Sequence, residues 1–365
     1  MSIPSALFEL TRGRVVESTH YGDIAIVDSL GNLIASYGDP YKVAFLRSSA
    51  KPFQVLPFVE QGGVRHFDLT QTELALACAS HEGSDEHLRV VASIQAKAGV
   101  LESQLQCGFH NPGDVNAYKR LIKRDELPTP NRNNCSGKHS AMLAFAAMRG
   151  LPRENYLDSD HPIQKDILTA FSEMCLLQPE AVELGIDGCS APNFAVPLYN
   201  TALAFARLCD PSRAQAYSPG GLSKERVQAC QDISAAMTGQ PEMISGPTEF
   251  DCRLMRTGQG KIICKRGAEG FQALGLLPGT LGPDSPGLGI AIKVSDGDLG
   301  QRRPDLEPFS RARPAVTLEI LKQLKVLDEA QCLDLAEFGP VKPVRNHRGL
   351  VVGESRPVFN LLFHI

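Results

Sequence analysis

Several things this sequence does not contain narrow the possibilities before any residue is read closely. No stretch approaches the ~18 consecutive apolar residues of a membrane span, and Met1 to Arg14 lacks the basic start and apolar run of an export signal. These absences predict a cytoplasmic protein. There is no excess of one charge: 37 Lys and Arg against 41 Asp and Glu leave a net charge of −4. Neither nucleic acid nor an anionic membrane is therefore expected as a partner, and a small molecule is. No two of the ten cysteines form C-x-x-C, and a long chain without an export signal keeps its thiols reduced, so a disulfide framework is not expected. Internal repeats, low-complexity tracts and heptads are missing. Gly-rich runs such as Thr257–Lys261 and Gly282–Gly289 match neither phosphate-loop pattern and read as turns.

What is present is enough for a large core: 365 residues, 43% hydrophobic and 21% charged. Short β-branched runs at 7–10, 15–20, 24–28 and 33–37, broken by Gly, Asn and Asp, predict an antiparallel meander. Helices are expected at 52–61, 70–79, 84–98, 115–124, 137–149, 162–175, 178–184, 196–209 and 223–238. Strand signal returns at 252–257, 261–265 and 288–294, followed by a helix at 314–326 and a strand at 350–358. This is an α+β pattern: residues 1–50 and 251–365 build one antiparallel sheet with flanking helices, and 51–250 form a mostly helical lobe inserted between its strands. The active site is expected between the two lobes.

Arg47-Ser48-Ser49-Ala50-Lys51-Pro52 sets a serine and a lysine three residues apart, on one face of a helix. Pro52 is tolerated only in a first turn, so the helix begins near Ser48 or Ser49, where backbone N–H groups favour developing negative charge. A neutral lysine there takes the serine's proton; read blandly, the same residues are a helix cap and a solvated lysine. Further along, Lys265-Arg266-Gly267 carries a Lys-x-Gly on a strand after the helical insert. Ser-x-x-Lys early and Lys-x-Gly late is the arrangement of the serine β-lactamase and penicillin-binding group. Two lysines near two serines depress each other's pKa, which yields the neutral amine a base requires.

Ser80-His81-Glu82-Gly83 precedes a helix and reads as a loop presenting polar groups. His81 and His87 stand six apart, not the four of a zinc-protease helix. Asn133-Asn134-Cys135-Ser136-Gly137-Lys138-His139 leads into an apolar helix, and a helix start beside a lysine lowers a cysteine's pKa. Asp187-Gly188-Cys189 places another thiol beside an acid. Two thiolates and a nitrogen suit tetrahedral zinc, although a lysine ligand must first lose its proton and cysteines this far apart are commonly unrelated.

Taken in order, these five motifs resemble the bacterial asparaginase II family, the Rhizobium etli or thermolabile type, across nearly the whole chain. The resemblance implies a fold like the serine β-lactamases and glutaminases, hydrolysis of L-asparagine to L-aspartate and ammonia, a homodimer, and zinc. It implies Ser48 as nucleophile, Lys51 as its base, and Ser80 with Lys265 as a second pair; Lys265 is preferred to Lys261 for its Lys-x-Gly context. It further implies Cys135, Lys138 and Cys189 as zinc ligands, with Arg47, His81, Glu82, Asn133, His139 and Asp187 around the substrate. A glutaminase, a penicillin-recognising enzyme and an inactive zinc-binding homologue are the alternatives.

Overall fold

The computed structural model describes residues 5–216, 221–298 and 310–364. The chain divides into two compact units, one made of Met1–Leu46, Val196–Asp210 and Arg253–Ile365, the other of Arg47–Ala195 and Pro211–Cys252.

The first unit is an antiparallel sheet. Its longest strand, Val15–Asp28, merges two of the expected runs. It pairs with Ala6–Arg12 over its first half and with Leu33–Tyr37 and Leu288–Val294 over its second. From Leu288–Val294 the sheet continues through Phe271–Leu276 to Ile262–Gly267. On the other side Ala6–Arg12 pairs with Val351–Pro357, and that strand with Lys342–Arg345. Phe8 lies opposite Pro357, so both ends of the sequence do contribute to one sheet. Phe271–Leu276 is buried at every position. A run covered on both faces shows no alternation, and the sequence reading accordingly passed over it.

Helix Leu198–Cys209 belongs to this unit and not to the inserted region 51–250. Glycines explain the packing: a Cβ at Gly289 would collide with the Ala202 carbonyl, and one at Gly275 with Cys209 Sγ. Small residues on helix and strands let the two backbones close together. A second helix, Arg313–Gln323, has no capping side chain of its own at Ala312. Asp298 supplies the missing acceptor from a distance, taking the N–H groups of Arg311 (3.0 Å), Ala312 (2.7 Å) and Arg313 (2.9 Å).

The second unit is mostly helical and centres on Lys51–Glu60, nine of whose ten residues are buried. A helix apolar all round is a core helix. Phe53 and Phe58 pack edge-on against Phe171 and Phe145, and Phe171 stacks on Phe194 at 4.7 Å. Thr70 closes a capping box with Glu73, and Ser84 caps Asp85–Ala98.

Two expectations are corrected here. Residues 252–257 are helical, within Phe250–Thr257: Cys252, Leu254 and Met255 are fully buried and Arg256 is exposed, which is not the every-second-residue period of a strand. The expected helix 178–184 is a single turn, Pro179–Ala181, followed by the strand Glu183–Ile186. That strand forms a hairpin with Pro192–Pro197, whose prolines hid it from a propensity argument. Among the described residues no helix is long and apolar enough to cross a membrane.

Candidate active site

The segment that carries the Ser-x-x-Lys motif enters the second unit as a single 3-10 turn, Arg47–Ala50, which runs directly into helix Lys51–Glu60. Ser48 is half-buried in that turn, and Lys51 is wholly buried at the first helical position. Lys51 Nζ donates to Ala79 O (2.6 Å), Ser80 Oγ (2.8 Å) and Asn134 O (3.0 Å). Among the described residues Ser48 Oγ makes no hydrogen bond to Lys51, and the hydroxyl in contact with the lysine is that of Ser80. Burial pushes the Lys51 pKa down, with the nearby Lys138 charge acting in the same direction against the Cys135 and Cys189 sulfurs.

Ser80 reaches this position because its loop is strapped at several points. A Cβ on Gly137 would collide with the Leu76 carbonyl, so glycine lets helix Ser136–Met148 approach the end of Gln71–Ala77 closely. The Ser80 N–H donates to Ile244 O (2.9 Å) and the Glu82 N–H to Ser245 O (2.8 Å). His81 is buried with both ring nitrogens engaged: Nδ1 accepts from the Gly83 N–H (3.1 Å) and Nε2 lies 2.9 Å from Ser136 Oγ. Because Ser136 spends its own proton on Asn131 O, His81 Nε2 carries the hydrogen and the ring is neutral. Burial, then the adjacent His87, holds its pKa well below the usual histidine value. His81 thus shapes the loop. Glu82, also buried, lies against Gly246, where any side chain would displace its carboxylate.

The third motif converges with the fourth. Asn133 donates through Nδ2 to Cys107 O and Gly108 O, and accepts the Cys135 N–H at 2.8 Å, so its amide positions the cysteine. Cys135 Sγ donates to Asn134 Oδ1 at 3.2 Å, and the Cys135 and Cys189 sulfurs drive each other apart in pKa, Cys189 strongly toward thiolate and Cys135 upward as the thiol. Lys138 Nζ lies 3.1 Å from Cys189 Sγ. Burial opposes the Lys138 ammonium, but the Cys189 thiolate outweighs it and the pKa is raised. His139 accepts at Nδ1 from the Tyr156 hydroxyl (2.6 Å), which itself accepts the Gln106 N–H. Among the described residues its buried Nε2 has no hydrogen-bond partner of good geometry, and burial, against the pull of the nearby Cys189 sulfur, lowers its pKa to about 4. Among the described residues no three His, Cys, Asp or Glu side chains form a metal-holding group. The convergent donors are two sulfurs and one amine. That set fits a thiophilic divalent ion once Lys138 loses its proton.

Asp187 pairs with Arg47 through Nε at 2.7 Å. In the first unit, Lys265 is fully buried on strand Ile262–Gly267 and donates to Arg266 O at 3.1 Å, whereas Lys261, just before the strand, is exposed. Tyr156 and Asn193 sit in no sequence motif; only the hydrogen bonds of the folded chain reveal them.

The model of the L-asparaginase II family matches residues 8–357 of this chain. No curated protein matches it. Similar solved structures include the Bacillus subtilis glutaminase in covalent complex with 5-oxo-L-norleucine, at 10% identity and TM-score 0.39 over 84% of this chain and 88% of that one. A probable glutaminase from Bacillus subtilis gives 10% identity and TM-score 0.40, with 84% and 89% covered. A Bacillus glutaminase in 4.3 M NaCl gives 11% and 0.37, with 84% and 91% covered.

Proposed function

Because this chain belongs to the L-asparaginase II family, we propose that it hydrolyses the side-chain amide of L-asparagine to L-aspartate and ammonia, with Ser48 as nucleophile. It is an amidohydrolase by family; asparagine as substrate, the residue roles and the metal are the proposal. The observation that supports it most is the buried Lys51 amine one turn from Ser48, its pKa pushed down by burial and its Nζ 2.8 Å from the Ser80 hydroxyl. A buried amine that reaches neutrality below the usual lysine range is the base a serine nucleophile needs.

Ser48 Oγ attacks the side-chain carbonyl carbon while its proton passes by way of Ser80 to Lys51, and N–H groups of the turn steady the oxyanion. The same proton, relayed through Ser80, leaves on the departing ammonia. Water then attacks the Ser48 ester, aspartate is released and the hydroxyl regenerated. Lys265 keeps a role in proton transfer by analogy with the family. Zinc would be held by Cys135, Lys138 and Cys189, where it would supply a fixed positive charge to orient the substrate carboxylate or a water.

Ammonia release by Ser48→Ala, measured beside the wild type on L-asparagine and L-glutamine, tests the reading. We expect wild-type turnover to favour asparagine and the variant to lose about 10³-fold or more in kcat with its circular dichroism unchanged. Substantial turnover by the variant would remove Ser48 as nucleophile. One extra methylene changes discrimination by only ~1–3 kcal/mol, so a preference for glutamine would reassign the substrate and keep the mechanism. For the metal, elemental analysis should find zinc in the wild type and its loss in Cys189→Ala; zinc-free protein after reconstitution would remove the site.

A further inference from the structure

Arg47, the residue immediately before Ser48, has φ +50°, in the left-handed region that an ordinary side chain adopts only where neighbours enforce it. The enforcing contacts come from the turn and second strand of one hairpin. Asn193, 4% exposed, accepts the Arg47 backbone N–H through Oδ1 at 3.0 Å and the Phe194 N–H through the same atom at 3.0 Å. Two N–H donors facing one atom identify it as the amide oxygen. Asp187, at the start of that hairpin's turn, takes Arg47 Nε at 2.7 Å and the Gly188 N–H at 2.7 Å. Gln54 Nε2 donates to Pro192 O at 3.0 Å, tying the hairpin to the helix that begins at Lys51. The turn that presents Ser48 is thus clamped from both sides by residues 187–193.

We infer that Asn193 is a positioning residue for the amide hydrolysis: by accepting the Arg47 N–H it holds that residue left-handed and so sets where the next residue, Ser48, points. The inference rests on Ser48 being the nucleophile. Asn193 touches no reacting atom and works through the backbone of Arg47. Rotation of Arg47 out of the left-handed region would swing the following peptide plane, and with it both the Ser48 N–H and the Ser48 side chain. Displacements of about 1 Å at a nucleophile are enough to cost 10²-fold in rate. The loss belongs in kcat, since Asp187 still holds the Arg47 guanidinium when Asn193 is removed.

A double-mutant cycle in the full-length protein tests this. Asn193→Ala should lower kcat by about tenfold or more with KM within about twofold, and Asn193→Asp, which keeps an acceptor oxygen at the same reach, should restore most of it. Glycine adopts φ +50° without strain. In an Arg47→Gly background, whatever activity that variant retains, adding Asn193→Ala should therefore cost less than about threefold. If Asn193→Ala does not fold, Asn193→Ser, one atom too short to reach the Arg47 N–H, provides the same reading. An unchanged kcat in a folded variant, or an equal loss with glycine at 47, would overturn the inference. Ser48→Ala run alongside separates the two assignments. Full turnover there overturns the nucleophile and the inference together; loss there with Asn193→Ala indifferent overturns only the role of Asn193.

Discussion

Lys51 has three acceptors around one nitrogen. As an ammonium it donates to the carbonyls of Ala79 and Asn134 and to Ser80 Oγ; as an amine it keeps two N–H bonds and turns a lone pair to one partner. Carbonyls have no proton to give, so the lone pair must face Ser80, whose hydroxyl then donates. Proton exchange at this lysine therefore runs along the Lys51–Ser80 contact. Burial lowers the Lys51 pKa, and a base acts when deprotonated. The acidic limb of kcat/KM for asparagine should accordingly rise through a pKa below that of a free lysine. Ser80→Ala, measured in the same pH–rate experiment, should reduce kcat by about 10²-fold with little change in KM. Retention of full activity would assign the proton path elsewhere. The residue pairing was only half legible in the sequence: spacing alone brings Ser48 and Lys51 together, but the side chain of Lys51 is long enough to pass over its own turn and meet Ser80, 29 positions away. Chemical types survive such a reading better than partners do.

The loop Ser80–Ser84 and the helix Asp85–Ala98 it enters are joined by two stacked histidines, His81 and His87, with ring centroids 5.0 Å apart. His87 lies 2.7 Å from Ser84 Oγ through Nδ1 and 3.1 Å from Glu242 O through Nε2, so Nε2 is protonated toward the carbonyl, and burial favours the neutral ring. Burial lowers both pKa values below the ordinary 6.5. An unfolded chain protonates its histidines near that value, whereas the folded rings resist. Their contribution to stability is complete above pH 6.5 and is lost as pH falls toward the lowered folded values. The urea midpoint should drop as pH goes from 7.5 to 5, and His87→Gln should flatten that slope; an unchanged slope would deny the pair this role. At this scale the sequence was informative about helices, because capping residues such as Thr70 and Ser84 act on their immediate neighbours. Elements stabilised from afar were not legible. Helix Phe250–Thr257 reads as a strand by composition, and the hairpin Glu183–Ile186 with Pro192–Pro197 was lost because its prolines signal breaks, although the same loop delivers Asp187, Cys189 and Asn193.

Across the whole molecule, strands close to both ends of the chain belong to one sheet, and the helical unit is built from the middle. Ala6–Arg12 is held between Val15–Asp28 and Val351–Pro357, while Leu33–Tyr37 pairs with Leu362–Phe363. Deleting residues from 341 onward removes three strands and leaves two early ones with an open edge. Such a truncation should unfold at lower urea with a broadened transition in circular dichroism; an unaltered cooperative transition would show that the late strands are dispensable. The two-ended sheet was readable from the sequence because strand and helix periods differ. The place of helix Leu198–Cys209 was not, because its packing depends on glycines in strands some 70 to 90 positions later. The same Phe8–Pro357 register also dictates an order of events on the ribosome. At the usual ~5–20 residues per second, the first hairpin waits about 20–70 s for its final neighbour to be made. Throughout that interval the outer edge of Ala6–Arg12 remains open to any other extended chain, so the yield of this protein in a cell depends on what shields a nascent hairpin as much as on how stable the finished sheet is.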